Sequence, residues 1–219
     1  MIEESLKEIF NEIKNGNNKG EKITLVGATK FVNVDKINKA ISCGLENIGE
    51  NKAQEFRDKF PLVLPCNYHF FGTLQKNKVK YLIGKVYLIH SVDSLELIEE
   101  ISKQSLQKNV VTNILLELNL GEEQKGGFDI CDVENILKLS SNYSGVCIKG
   151  FMAMLPNLQD ENTLIPLLEK VRNLYDDFKE IYNFENLSIG MSNDYKLAIK
   201  HGSNMIRVGS KIFGERYWV

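Results

Sequence analysis

The sequence has few of the residues that hold extracellular or metal-dependent proteins together. Its four cysteines lie far apart without a C-x-x-C pair, and its three histidines are equally scattered among 219 residues. Such spacing is typical of reduced thiols in the cytoplasm, and it argues against a disulfide framework and against a metal centre. The sequence therefore predicts a cytoplasmic protein without a bound metal.

Long apolar segments and an excess of one charge are also missing. No window approaches about 18 consecutive apolar residues, and the N-terminus lacks a basic segment followed by an apolar one, so neither a transmembrane helix nor a secretory signal is predicted. Lys and Arg number 27 against 29 for Asp and Glu, which gives a formal charge of -2. Because no basic face dominates, we expect no binding to nucleic acid or to membranes.

Short apolar runs alternate with longer amphipathic segments along the whole chain. The pattern predicts a helix over residues 2–15 and then a series of strands, each followed by a helix. We place eight strands at residues 23–29, 46–49, 68–71, 86–90, 111–118, 146–151, 186–189 and 205–208. Strict alternation is typical of a (β/α)8 TIM barrel, so we expect one such domain over residues 1–219 with an extra N-terminal helix. The alternative is an open doubly wound sheet, although no G-x-G-x-x-G turn is present.

Residues that could bind a ligand or take part in a reaction come directly after the strands, at the end of the barrel where such folds carry their active sites. Lys30 ends the first strand, and we interpret it as an amine at the barrel mouth that attacks a carbonyl group. The alternative is a solvated loop cation, the usual role of a lysine. Ser192 follows the seventh strand, and Gly209 and Ser210 follow the eighth. Barrels often bind phosphate between these two loops, although each serine taken singly is equally well explained as a helix N-cap.

An amine at the first strand, across the mouth from a phosphate cup, fits pyridoxal 5'-phosphate. Lys30 would condense with the aldehyde, and Met191 or Ile206 would contact the ring. Arg207 would face the pyridine nitrogen, the alternative being a salt bridge to an acid at a strand end. Because a guanidinium can only donate, that nitrogen would stay unprotonated and the ring would be a weak electron sink. The sequence therefore predicts cofactor binding with limited catalytic power.

Five motifs, in order along the chain, resemble the pyridoxal phosphate homeostasis protein family. They are Val26–Lys30, Ile48–Asn51, His69–Lys78, Gly190–Asp194 and Ile206–Gly214. The fold of this family is similar to the barrel domain of alanine racemase. The resemblance implies the same barrel here, over essentially the whole chain.

The resemblance also implies a function and a set of cofactor contacts. Lys30 would carry the cofactor as a Schiff base, with Asn51 close to the ring and Arg207 near the pyridine nitrogen. The implied phosphate contacts are Ser192, Gly209 and Ser210. The implied role is non-enzymatic: the protein keeps the reactive aldehyde bound and balances vitamin B6 and amino-acid pools, with pyridoxal phosphate-dependent apo-enzymes as candidate recipients.

Two other functions remain open from the sequence. A small racemase or lyase needs a second acid–base group, here Tyr195, Tyr217 or His69, although His69 is equally well explained as a strand-end histidine bonded to a backbone carbonyl. Alanine racemase takes this group from a separate β domain of a dimer partner, and the present chain stops at the end of the barrel, so we favour a non-enzymatic monomer. The third class is a protein that binds another phosphorylated metabolite. The choice between this class and the others depends on whether Lys30 forms a Schiff base. Whether the loop Lys125–Gly127 closes over the site is open.

Overall fold

The computed structural model of the chain describes residues 1–121, 126–158 and 160–214, which contain nine parallel strands. In chain order these are β1 (Thr24–Ala28), β2 (Asn47–Glu50), β3 (Asn67–Phe70), β4 (Leu88–Val92), β5 (Thr112–Asn119), β6 (Phe128–Asp129), β7 (Val146–Ala153), β8 (Asn186–Ser188) and β9 (Met205–Val208). All but β6 form one ring in the order β4-β3-β2-β1-β9-β8-β7-β5, and pairing of β4 with β5 closes it. The expected TIM barrel is therefore confirmed, and the open sheet is wrong.

Helices follow the strands around the outside of the barrel. Those in the described residues are α1 (Ile2–Ile13), α2 (Val34–Ser42), α3 (Ala53–Lys59), α4 (Leu95–Gln107), α5 (Val133–Ser140), α6 (Glu161–Tyr182), α7 (Tyr195–Lys200) and α8 (Ser210–Phe213). The short helix expected after β3 is present as a 3-10 helix over Lys76–Tyr81, a lysine-rich segment with Val79 as its one fully buried side chain. The short β6, which pairs with the end of β5, was not predicted because two residues show no periodicity.

Apolar side chains form two separate layers because successive residues of a strand point to opposite faces. The outer layer lies between the barrel and its helices and includes Leu25, Ile48, Phe70 and Ile206. The inner layer is a small cluster inside the barrel, formed by Val26, Phe71, Leu88, Leu115, Met152 and Met205. Buried polar side chains include His69 of β3, His90 of β4, Ser188 of β8 and Arg207 of β9.

The expected N-terminal helix α1 is present and packs against α2 and α8. Lys211 of α8 lies 2.9 Å from a carboxylate oxygen of Glu8 and 3.2 Å from one of Glu12. These contacts attach the first helix to the segment that follows the last strand. Within residues 1–121, 126–158 and 160–214, no helix is both long enough and apolar enough to cross a membrane.

Candidate cofactor-binding site

The residues proposed from the sequence lie at the carboxyl ends of four strands that are consecutive in the ring, β2, β1, β9 and β8. They are Asn51 after β2, Lys30 after β1, Arg207 within β9, Gly209 and Ser210 after β9, and Met191 and Ser192 after β8. The expectation that the amine lies across the mouth from the phosphate cup is wrong, because Gly27 of β1 pairs directly with Val208 of β9. Neighbouring strands are about 4.8 Å apart, so one small molecule can reach both groups.

Lys30 is half-buried at this rim, two residues beyond the end of β1. Its Nζ lies 5.1 Å from the ring centroid of Phe31, and Nζ of Lys52 lies 5.0 Å from the same centroid. The phenyl ring of Phe31 is 48% exposed. Two amines therefore flank one exposed aromatic ring at the mouth, and Lys30 is the more buried of the two.

Arg207 is buried inside the barrel, below the rim. Its Nη1 donates to the carbonyl and the hydroxyl oxygen of Ser188 at 2.7 and 2.6 Å, and its Nη2 donates to the carbonyl of Ala153 at 3.1 Å. Within the described chain its hydrogen-bond partners are thus carbonyl and hydroxyl oxygens, not the strand-end acid of the alternative interpretation. Burial lowers the pKa of Arg207 to about 10, which leaves the guanidinium protonated at neutral pH.

A line of polar side chains continues from Ser188 across the barrel interior. Its hydroxyl lies 3.0 Å from Nδ1 of His90, and Nε2 of His90 lies 2.8 Å from Nδ1 of His69. Nε2 of His69 in turn lies 3.2 Å from the side-chain oxygen of Asn47. His69 is therefore bonded to side chains, which corrects the expected contact with a backbone carbonyl. Burial lowers the pKa of His69 to about 3 and that of His90 well below its usual value, so both rings are neutral.

The loops after β8 and β9 meet at the proposed phosphate cup. The backbone N–H of Gly209 donates to the hydroxyl of Ser192 at 3.3 Å, a long contact that joins the two loops. Ser210 is exposed and Met191 is 39% exposed, so both are accessible from solvent. Ile206 is fully buried in the outer layer, which makes the expected contact with a ring wrong. Strand alternation explains this, since Arg207 points into the barrel and its neighbour points outward.

Among the described residues, two groups were considered as a second acid, Tyr195 and His69, and both are hydrogen-bonded within the fold. The hydroxyl of Tyr195 donates to the carboxylate of Glu12 in α1 and accepts from Nζ of Lys211 at 2.8 Å. Burial raises the pKa of Tyr195. His69 is bonded at both ring nitrogens. Tyr217 lies outside the described residues. Lys125, the first residue of the loop Lys125–Gly127, does so too.

The donor set at this rim fits an anionic ligand that also carries an acceptor atom. A guanidinium has five N–H donors, of which Arg207 uses three for Ser188 and Ala153. The hydroxyls of Ser192 and Ser210 and the amine of Lys30 add further donors. This combination suits the phosphate, the pyridine nitrogen and the aldehyde of pyridoxal 5'-phosphate.

Comparison with known proteins first identifies the class of barrel to which this chain belongs. The family model described as "Alanine racemase, N-terminal domain" matches residues 20–217. The structure of PipY from Synechococcus elongatus PCC7942, solved without pyridoxal phosphate, superposes with a TM-score of 0.89 at 27% sequence identity, covering 98% of this chain and 100% of that one. The form solved with pyridoxal phosphate bound gives a TM-score of 0.87 at 26% identity, with 98% and 100% covered.

A curated relative narrows the class to one family. The pyridoxal phosphate homeostasis protein of Aquifex aeolicus (strain VF5) is 40% identical over 197 residues, which cover 88% of this chain and 86% of the relative. The chain therefore belongs to the pyridoxal phosphate homeostasis protein family, as its motifs predicted.

Two groups of functional interest were not assigned a role from the sequence. One is the buried pair His90 and Ser188, which connects Arg207 to His69. The other is a cluster of buried charged residues beside Lys30, formed by Glu50, Glu55 and Lys59. The four-residue spacing of Glu55 and Lys59 on one predicted helix was the available signal for the second group.

Proposed function

We propose that the chain binds pyridoxal 5'-phosphate in the cytoplasm and holds its aldehyde as a Schiff base on Lys30, so that the protein contributes to vitamin B6 and amino-acid homeostasis without dedicated turnover. The chain acts as a single domain and a monomer, with pyridoxal phosphate-dependent apo-enzymes as recipients of the ligand. The proposed ligand contacts besides Lys30 are Asn51, Met191, Ser192, Arg207, Gly209 and Ser210.

One observation carries this proposal: Lys30 and the residues proposed to hold the phosphate follow neighbouring strands at one rim of the barrel. Pairing of Gly27 with Val208 makes the strands that precede Lys30 and Gly209 neighbours, and the contact of Gly209 with Ser192 joins the loop after β8 to the loop after β9. The relative from Aquifex aeolicus is named a pyridoxal phosphate homeostasis protein, and the PipY structure contains pyridoxal phosphate. These findings support the same ligand here.

Arg207 supports binding without turnover. When bound, the ligand supplies an aldehyde carbon for an amine and a pyridine ring that acts as an electron sink when its nitrogen is protonated. Arg207 is protonated and can only donate, so it favours an unprotonated nitrogen beside it. Two of the three candidates for a second acid, Tyr195 and His69, are hydrogen-bonded elsewhere in the fold.

The assignment of Lys30 is tested by spectroscopy and trapping. We expect the purified protein to absorb visible light, to lose that absorbance on borohydride reduction, and to carry the reduced label on the peptide that contains Lys30. Lys30→Ala abolishes the label, whereas Lys52→Ala, the control at the other amine beside Phe31, retains it. A Lys30→Ala protein as yellow and as borohydride-sensitive as the wild type would show that the assignment is wrong.

The absence of turnover is tested separately. We expect no steady-state racemisation or decarboxylation of free amino acids by the loaded protein. Robust turnover would overturn this part of the proposal. Exchange of the α-hydrogen for deuterium without net conversion would instead identify a weak, vestigial activity at the same site.

A further inference from the structure

The two peptide groups that flank Lys30 are both held by one buried ion cluster, which we call the Lys59 cluster (Glu50, Glu55 and Lys59). Nζ of Lys59 donates at 2.8 Å to the carbonyl of Thr29, which belongs to the peptide bond before Lys30. A carboxylate oxygen of Glu55 accepts at 2.9 Å from the N–H of Phe31, which belongs to the peptide bond after it. Lys59 and Glu55 are themselves 2.9 Å apart. The ion pair of Lys59 and Glu55 therefore makes hydrogen bonds to the backbone on both sides of Lys30.

Glu50 completes the cluster at the end of β2. Its carboxylate is 0% exposed and lies 2.8 Å from Nζ of Lys59, whose side chain is 12% exposed. The hydroxyl oxygen of Thr29 lies 2.7 Å from the same carboxylate oxygen and 3.0 Å from the carbonyl oxygen of Gly49, and its one hydrogen is shared between these two acceptors. The residue before Lys30 is thus fixed through both its side chain and its carbonyl.

The cluster is an inefficient way to stabilise a fold, because burying charged groups costs free energy. Burial raises the pKa of Glu50, against the opposing effect of Lys59, which reflects the cost of keeping this carboxylate charged. The second carboxylate oxygens of Glu50 and Glu55 are buried and have no hydrogen-bond partner among the described residues, and the same holds for the hydroxyl of Tyr68. Apolar residues of similar volume often serve stability as well as a buried ion pair does. A role in fixing local geometry accounts for the charges better than stability does.

The geometry that needs fixing is a strained turn. Phe31 has a φ of 61°, in the left-handed region that a residue with a β-carbon rarely adopts. The contact from Glu55 is made to the N–H of this residue. Lysine has a long, flexible side chain, so the place its amine can reach depends on where its backbone is held. A fixed backbone lowers the entropic cost of bringing the amine to a bound carbonyl carbon.

We propose that Lys59, with Glu50 and Glu55, is a positioning residue that holds the backbone of Lys30 so that its amine reaches the aldehyde of the ligand. This inference rests on the proposed function. The reacting atoms are those of Lys30: its Nζ forms the bond to the aldehyde carbon, and the aldehyde oxygen leaves as water with two protons from the amine. The proposed action of the Lys59 cluster is on the backbone beside Lys30, through Thr29 and Phe31.

The experiment compares two ligands that share a ring and a phosphate. Pyridoxal 5'-phosphate has the aldehyde, whereas pyridoxine 5'-phosphate has an alcohol in its place and cannot react with an amine. In Lys59→Met we expect the rate of borohydride-trappable attachment to Lys30 to fall about tenfold, because the three hydrogen bonds from Nζ of Lys59 to Thr29, Glu50 and Glu55 are lost. The affinity for pyridoxine 5'-phosphate, measured by calorimetry, stays at the wild-type value. Lys59→Arg, which can still donate to Thr29 and pair with Glu55, restores most of the rate.

A matched control uses a second buried ion pair at the opposite rim of the barrel. Arg172 lies 2.6 Å from Glu21, with side chains 7% and 17% exposed, close to the 12% and 19% of Lys59 and Glu55. Arg172→Met lowers the unfolding midpoint but leaves the attachment rate unchanged. If Lys59→Met does not fold, Glu55→Gln takes its place, since the amide oxygen can still accept from Phe31 while the charge is gone, and a smaller loss of rate is expected.

The outcomes separate this inference from the proposed function. Attachment in Lys59→Met at the wild-type rate would overturn the positioning role, and so would a parallel loss of affinity for both ligands, which is the result of a purely structural role. Failure of the wild-type protein to carry any label on Lys30 would overturn the proposed function and the inference with it.

Discussion

The imidazole rings of His69 and His90 share a hydrogen bond of 2.8 Å between Nδ1 of the first and Nε2 of the second, and its direction is fixed from both ends. Arg207 can only donate to the hydroxyl oxygen of Ser188, so the hydroxyl hydrogen of Ser188 is directed to Nδ1 of His90. Nε2 of His90 then carries the hydrogen that His69 accepts. Nε2 of His69 carries the hydrogen that the side-chain oxygen of Asn47 accepts. Both rings are therefore neutral and protonated at Nε2.

This arrangement predicts a specific NMR signature. In a long-range 1H–15N correlation spectrum, we expect His69 and His90 to give the pattern of the Nε2-protonated neutral tautomer and to keep it from pH 8 to about pH 5, since burial holds both pKa values far below the usual 6.5. Titration of either ring in this range would contradict the assignment. Ser188→Ala removes the donor to His90 and should alter the spectrum of that ring first.

The same two histidines predict how the free energy of unfolding depends on pH. Their pKa values are lower in the folded than in the unfolded chain, so the unfolded chain binds more protons and stability is lost as pH falls below about 6.5. Each ring contributes about 1.4 kcal/mol per pH unit. Glu50, whose pKa is raised by burial, offsets part of this slope. The acids Glu12 and Glu21, with pKa lowered to about 2, add their loss only at lower pH.

The measurement is urea denaturation between pH 7.5 and pH 5, compared among variants. His90→Gln should reduce the slope of unfolding free energy against pH by roughly half of the histidine contribution. A wild-type slope in His90→Gln would mean that other groups carry the acid sensitivity.

Arg207 is predicted to contribute to the fold as well as to the ligand site. Arg207→Gln shortens the side chain and leaves the carbonyls of Ser188 and Ala153 buried without their donor. We expect a loss of about 2–4 kcal/mol in the free energy of unfolding, the sum of one or two unsatisfied buried acceptors. Arg57→Gln, at an exposed arginine paired with Asp58, is the control and should unfold at the wild-type urea concentration. Equal midpoints for the two variants would count against this role.

Gly150 is predicted to be intolerant of any side chain. Its φ is +134°, and an added β-carbon would lie 1.9 Å from the carbonyl oxygen of Asn186 on the neighbouring strand. Gly150→Ala should therefore lower the free energy of unfolding by several kcal/mol or prevent folding. Gly20→Ala shares a positive φ of +74° but meets no atom within 4 Å, so it should cost only about 1 kcal/mol. Similar losses in both variants, measured by thermal unfolding, would show that the close contact with Asn186 is relieved.

Much of the fold was predictable because strands and helices of this chain differ in period and length. The helix predicted over residues 2–15 is observed at Ile2–Ile13, and each barrel strand was located within about two residues. The rim location of Lys30, Ser192 and Gly209 followed from the same pattern, since the strands of a parallel barrel end on one face.

What the sequence could not provide was the arrangement of residues around the ring. Closure of the barrel makes β1 and β9 neighbours, so the amine and the cup are adjacent and not opposed. The contacts of Lys59 with Thr29 and of His90 with Ser188 join residues far apart in the chain, and no local pattern encodes such pairs. The predicted ring contact of Ile206 was wrong because its side chain faces the helices. Neighbouring residues of a strand point to opposite faces, so Ile206 points outward where Arg207 points inward.

The seam between β1 and β9 has a consequence for biosynthesis. The ribosome makes Lys30 well before Gly209 and Ser210, which follow the other strand of this seam. A nascent chain thus carries β1 before it has β9 to pair with it. The barrel can close only after β9 has been made, so a product truncated before β9 has Lys30 at the end of a strand with one unpaired edge.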